Sequence, residues 1–122
     1  MSDIRLEEMP FDFEGKTYIL RGNMNVFADV QNAYGGDLGA ALRADRPQRS
    51  ALEFLAAMMN DYADDMGWPE RFTSKQLGRR LGMAMVPTLA AIMGLVRRSM
   101  APPQAAETVS AENTEDPGNP GN

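Results

Sequence analysis

The chain has no cysteine and no histidine among its 122 residues. Without cysteine there are no disulfides and no thiolate chemistry. Without histidine the commonest general base and the commonest metal ligand are missing. Zinc sites built from Cys and His are excluded outright, as is any Ser-His-Asp triad. Only carboxylate chemistry would be left to an enzyme, and no carboxylate motif stands out, so neither catalysis nor a cofactor nor a metal is expected. Long apolar runs are absent as well: none approaches the ~20 residues of a membrane-spanning helix. The first residues, Met-Ser-Asp-Ile-Arg-Leu-Glu-Glu, carry charges of both signs and no apolar stretch, so no signal peptide and a cytoplasmic location are expected.

Positive charge is scarce where it would matter for nucleic acid. The net charge is −5, and it is unevenly spread. Residues 1–100 hold all twelve Lys and Arg against thirteen Asp and Glu, a balance of −1. Residues 101–122 hold four acids (Glu107, Glu112, Glu115, Asp116) and no base, a balance of −4. Phosphate binding needs clustered Lys and Arg, so nucleic acid is not the expected partner.

What is present suits one small domain with a core, since 43% of the residues are hydrophobic. Phe11 and Phe13 alternate with Asp12, the period of a half-buried strand. Glu14-Gly15 offers a tight turn, and Thr17-Tyr18-Ile19-Leu20 is rich in strand formers. A β-hairpin follows; a loop of two or of three residues is compatible, so its register stays open. Ile4 and Leu6 could add an edge strand or a loose arm.

Helical spacing then takes over. Asn23 is a good N-cap for a helix with Val26, Phe27, Val30 and Tyr34 on one face, ended by Gly35-Gly36. Asp37 can cap a short helix bearing Leu38, Ala41 and Leu42. Pro47 suits the first turn of the long helix that follows, with Leu52, Leu55, Ala56, Met59, Ala63 and Met66 as its stripe and Gly67 as its stop. Trp68-Pro69 is a connector, the Trp plugging the core edge. Thr73 with Gln76 has the capping-box pattern and opens a short helix with Leu77 and Leu81 inward. A last helix starts near Pro87 with Leu89, Ile92, Met93 and Val96, and Pro102-Pro103 ends the folded part. The fold class expected is α+β and mostly helical: an N-terminal β-hairpin packed on four to five helices over residues 1–100. Residues 101–122, polar and acidic with a single Val, are expected to form a disordered tail.

Three clusters invite a chemical reading. Asp61, Asp64 and Asp65 lie near the end of the long helix with Glu53 two turns earlier. One helix face offers too few oxygens for Mg²⁺ or Ca²⁺, so a solvated helix end is the simpler reading. Their position near the helix C-terminus is mildly unfavourable and hints at a partner supplying Arg or Lys. Lys75, Arg79 and Arg80 faintly suggest a helix-turn-helix, but the preceding linker of residues 67–73 exceeds the three or four residues of such turns. The glycine pairs fit no phosphate loop. That leaves methionine, ten of 122 residues. Met fills irregular cores and also makes adaptable binding surfaces, and both readings are open here.

The order of elements carries a resemblance. Gly15-Lys16-Thr17-Tyr18-Ile19-Leu20-Arg21 opens it, and a helix ending in an aromatic and Gly-Gly comes next. Gly36-Asp37-Leu38-Gly39-Ala40-Ala41-Leu42, a long helix over 51–66, a Thr-capped helix over 73–81 and a final helix over 87–100 complete it. This pattern resembles the tail assembly chaperones of long-tailed bacteriophages and gene transfer agents, over roughly residues 11–100. The resemblance implies a non-catalytic chaperone of virion morphogenesis, active in the host cytoplasm and absent from the mature virion. It implies binding and solubilising the helical, apolar tape measure protein and helping to recruit tail tube subunits; self-association is a further possibility. A client surface is expected at Met58, Met59, Tyr62, Met85, Met93 and Met100, which lie at stripe margins or helix ends. The alternative function is that of a small helical DNA-binding or transcription-regulating protein.

Overall fold

A tight turn sets the geometry of the N-terminal end. In the computed structural model, which describes residues 7–43 and 47–100, strands β1 (Glu8–Phe13) and β2 (Lys16–Arg21) form an antiparallel hairpin. Glu14 and Gly15 both have positive φ, +50° and +85°, as a two-residue turn of the type favoured by strand twist requires. The turn fixes the register that the sequence left open: Phe13 faces Lys16, Phe11 faces Tyr18 and Met9 faces Leu20. Phe11, Phe13, Tyr18 and Leu20 therefore share one face, and all four are buried.

Among the described residues five helices follow: α1 (Met24–Ala33), α2 (Leu38–Ala41), α3 (Pro47–Met66), α4 (Ser74–Arg80) and α5 (Val86–Met100), the last entered through a 3-10 turn at Met83–Met85. The expected α+β class, a hairpin on a helical bundle, is what the chain adopts. The caps are those the sequence announced. Asn23 Oδ1 accepts from the Val26 N–H at 3.0 Å, Asp37 Oδ1 from the Ala40 N–H at 3.2 Å, and Thr73 and Gln76 close a reciprocal capping box. Gly35, Gly36 and Gly67 take positive φ at helix ends. The expectations for Ile4 and Leu6, and for a disordered tail over 101–122, fall outside the described residues.

Helix α3 is the axis of the domain. It packs against β2, α1, α4 and α5, so it is apolar on more than the one stripe read from spacing. Ala51, Phe54, Ala57 and Met58 are buried along with Leu55, Ala56, Met59 and Ala63, whereas Leu52 is half-buried and Met66 is exposed. Phe54 meets Phe27 of α1 edge-on, with centroids 5.9 Å apart. At the hairpin end Tyr18 contacts Trp68 at 5.4 Å, Phe72 at 5.8 Å and Tyr62 at 6.2 Å, so the single Trp does plug the core margin. Lys16 lies 4.8 Å above its ring, and Arg80 lies 4.9 Å from Phe13 while binding Glu14 across the same edge.

Two polar ties hold the connections. Asn60 of α3 donates Nδ2–H to the Phe72 carbonyl at 2.9 Å and accepts the Phe72 N–H at 2.8 Å, pinning the segment before α4. Ser74, the first residue of α4, donates to Glu53 at 2.8 Å and accepts from Arg49 at 3.0 Å. At the other end, buried Gly22 lets α5 close on the hairpin: a Cβ there would stand 2.3 Å from Ser99 Oγ.

Candidate functional site

The methionines divide by helix face. Met58 and Met59, expected on a client surface, are 1% and 0% exposed. They belong to the core because α3 is wrapped by neighbours on nearly every side. No partner can reach them in the folded chain, and this part of the expected surface is corrected. Tyr62 is half-buried in the aromatic cluster, 5.6 Å from Trp68, with Arg21 5.7 Å above its ring. Met85 is half-buried in the 3-10 turn, and Met100 is 44% exposed at the end of α5. Met93 is 7% exposed but forms part of a groove wall. The six residues do not converge on one surface.

Met93 lines an apolar groove. It has a volume of about 220 Å³ and lies between the end of α2, the first turns of α3 and the outer side of α5. Leu42, Pro47 and Ala51 form one wall; Val86, Leu89, Ala90 and Met93 form the other. Arg43, Gln48 and Arg97 edge it. The 3-10 turn that leads into Val86 holds Met83, which is 85% exposed. Spacing could have revealed this wall. Val86, Leu89, Ala90, Met93 and Arg97 fall at i, i+3, i+4, i+7 and i+11, a second stripe beside the inward one of Ile92, Leu95 and Val96. A 15-residue helix with both stripes has more apolar surface than one neighbour can cover.

Two other depressions are polar. One is lined by Arg21, Asn23, Asn25, Asp61, Asp64 and Asp65. Its carboxylates are already engaged from within: Asp61 accepts from Asn23 at 2.7 Å and from Asn25 at 3.4 Å, Asp64 binds Arg71, and Asp65 is 4.0 Å from Arg21. Asp64 and Asp65 thus find cations within the chain, and Asp61 finds amide donors. The other depression, lined by Asp29, Glu53, Asn60 and Ser74 among others, holds the two polar ties that fix α4. Among the described residues no group of three acidic side chains is poised to hold a metal ion.

The basic residues of α4 are Lys75, Arg79 and Arg80. Arg80 is turned back onto Glu14, with Nε 3.1 Å from Oε2, which leaves Lys75 and Arg79. Residues 67–73 separate α3 from α4, longer than a helix-turn-helix linker. No helix among the described residues is long and apolar enough by itself to cross a membrane. Comparison of the chain with family models, with curated proteins and with solved structures finds no match in any of the three.

Proposed function

We propose that the chain is a tail assembly chaperone of a long-tailed bacteriophage or gene transfer agent. It binds and solubilises the tape measure protein and helps recruit tail tube subunits, without catalysis, in the host cytoplasm. The observation that carries this reading is the open apolar groove along α5, whose wall begins at the exposed Val86, three residues after the exposed Met83. A holdase for a long amphipathic helix needs such a surface, because helices dock their apolar face into grooves between helices. Flexible Met side chains at the groove and its margin suit a client whose sequence changes along its length.

The order of elements supports the same reading. The hairpin and the capped helices on which the resemblance rests are formed, and the hairpin serves the core: its apolar face is buried against α3 and the segment before α4. Client contact falls instead to the helical end of the domain. Co-expression with a tape measure protein tests the function. The soluble yield of the tape measure protein should rise severalfold and the two should co-purify. Unchanged solubility with no co-purification would end this reading.

A further inference from the structure

The groove has a charge preference as well as a shape. Among the described residues its lining holds two arginines and no carboxylate. Arg97, in the last turn of α5, has no ion-pair partner among the described residues, and the described partner of Arg43 is Asp37, 3.7 Å away with both side chains mostly exposed. An exposed pair of that kind is weak and readily exchanged. The two cations stand on opposite sides of an apolar floor, Arg43 after α2 and Arg97 on α5. Small residues, Ala51 on one wall and Ala90 on the other, allow a third helix to approach closely. From Val86 to Arg97 the α5 wall runs about 16 Å, at roughly 1.5 Å per residue about three turns of a docked helix.

We infer that the groove selects amphipathic client helices whose apolar stripe is flanked by Asp or Glu, with Arg43 and Arg97 reading the flanking acids. The inference rests on the chaperone reading and narrows it to one surface and one class of client segment. The apolar stripe supplies adhesion, and the arginines choose which stripes are held: a helix flanked by Lys meets like charge on both sides.

The test uses the full chain and two synthetic helical peptides of about five turns. Both carry the same Leu and Ala stripe, one flanked by Glu and the other by Lys, and binding is followed by calorimetry at low salt. The Glu-flanked peptide meets an attractive charge at each rim and the Lys-flanked peptide a repulsive one. Their affinities should differ by about tenfold, and the gap should narrow as salt is added. Reversing both rim charges (Arg43→Glu with Arg97→Glu) should reverse the order. Ala90 is exposed, so Ala90→Glu should leave the melting temperature near that of the parent and abolish binding of the Glu-flanked peptide. Equal affinities, no binding of the Glu-flanked peptide, or binding that survives Ala90→Glu would overturn the inference. So would a gain of tenfold or more when Glu107, Glu112, Glu115 and Asp116 are amidated by substitution, which would give the groove to the chain's own acidic segment. The two proposals fail separately. Loss of peptide discrimination with successful co-expression would move client binding to another surface. Discrimination without any gain in tape measure solubility would keep the groove and discard the tail-assembly role.

Discussion

Single residues carry some of the closest tolerances in this domain. Gly22 is required for proximity, because its neighbour is Ser99 on α5 and a methyl group would enter the Ser99 side chain. Gly22→Ala should cost about 1–3 kcal/mol by forcing α5 away from the hairpin, read as a lower denaturant midpoint; an unchanged midpoint would mean the helix end shifts freely. Gly78 is the opposite case. A Cβ there would lie 3.5 Å from Leu52 Cδ1, ordinary contact, and the position is inside α4. Gly78→Ala should raise stability by about 0.5–1 kcal/mol, measured in the same way. No local sequence pattern gives Gly22 this duty. The reason is physical: the clash partner is 77 residues away in the chain, and no local pattern records it. Asn60 was similarly silent. Its amide pairs with both backbone groups of Phe72, and Asn60→Ala should cost about 2 kcal/mol by stranding them.

Secondary-structure elements were far more legible than their partners. The caps at Asn23, Asp37 and Thr73, the stops at Gly35-Gly36 and Gly67, and the place of Pro47 in the first turn of α3 are local chemistry and stand where the sequence puts them. The faces of α3 were not legible, because a stripe drawn at helical spacing assumes one buried side. Phe54 and Met58 lie off that stripe and are buried because α3 is packed against four other elements. The same assumption misplaced the client surface: Met58 and Met59 look marginal on a helical wheel and are central in the fold. The β2 strand offers a test of how tightly the hairpin seals this core. Burial holds the Tyr18 hydroxyl above its ordinary pKa, with Glu70 adding to the effect and Arg80 opposing it. The folded chain therefore keeps a proton that the unfolded chain releases near pH ~10. Stability is complete below that pH and falls as pH rises beyond it. The melting temperature should drop more between about pH 9 and pH 11 in the parent than in Tyr18→Phe; an identical drop would mean Tyr18 is not sealed.

At the scale of the whole molecule, the hairpin, α3 and α4 form a closed structural end, tied by aromatic contacts and by the Asn60 and Ser74 hydrogen bonds. Among the described residues, α5 also carries an apolar stripe that lines an open groove edged by two arginines. This arrangement suits a protein that keeps its own fold fixed while presenting one surface to a helical client. It also explains why the site was only partly foreseen: Met93 alone among the expected residues lines the groove, and the rest of the wall comes from α2, α3 and α5 brought together by packing. The most direct measurement is the soluble fraction of the tape measure protein co-expressed with the parent chain or with Ala90→Glu. The parent should raise that fraction severalfold and the groove variant, equally folded, should not. Equal protection by both proteins would contradict the groove as the client site.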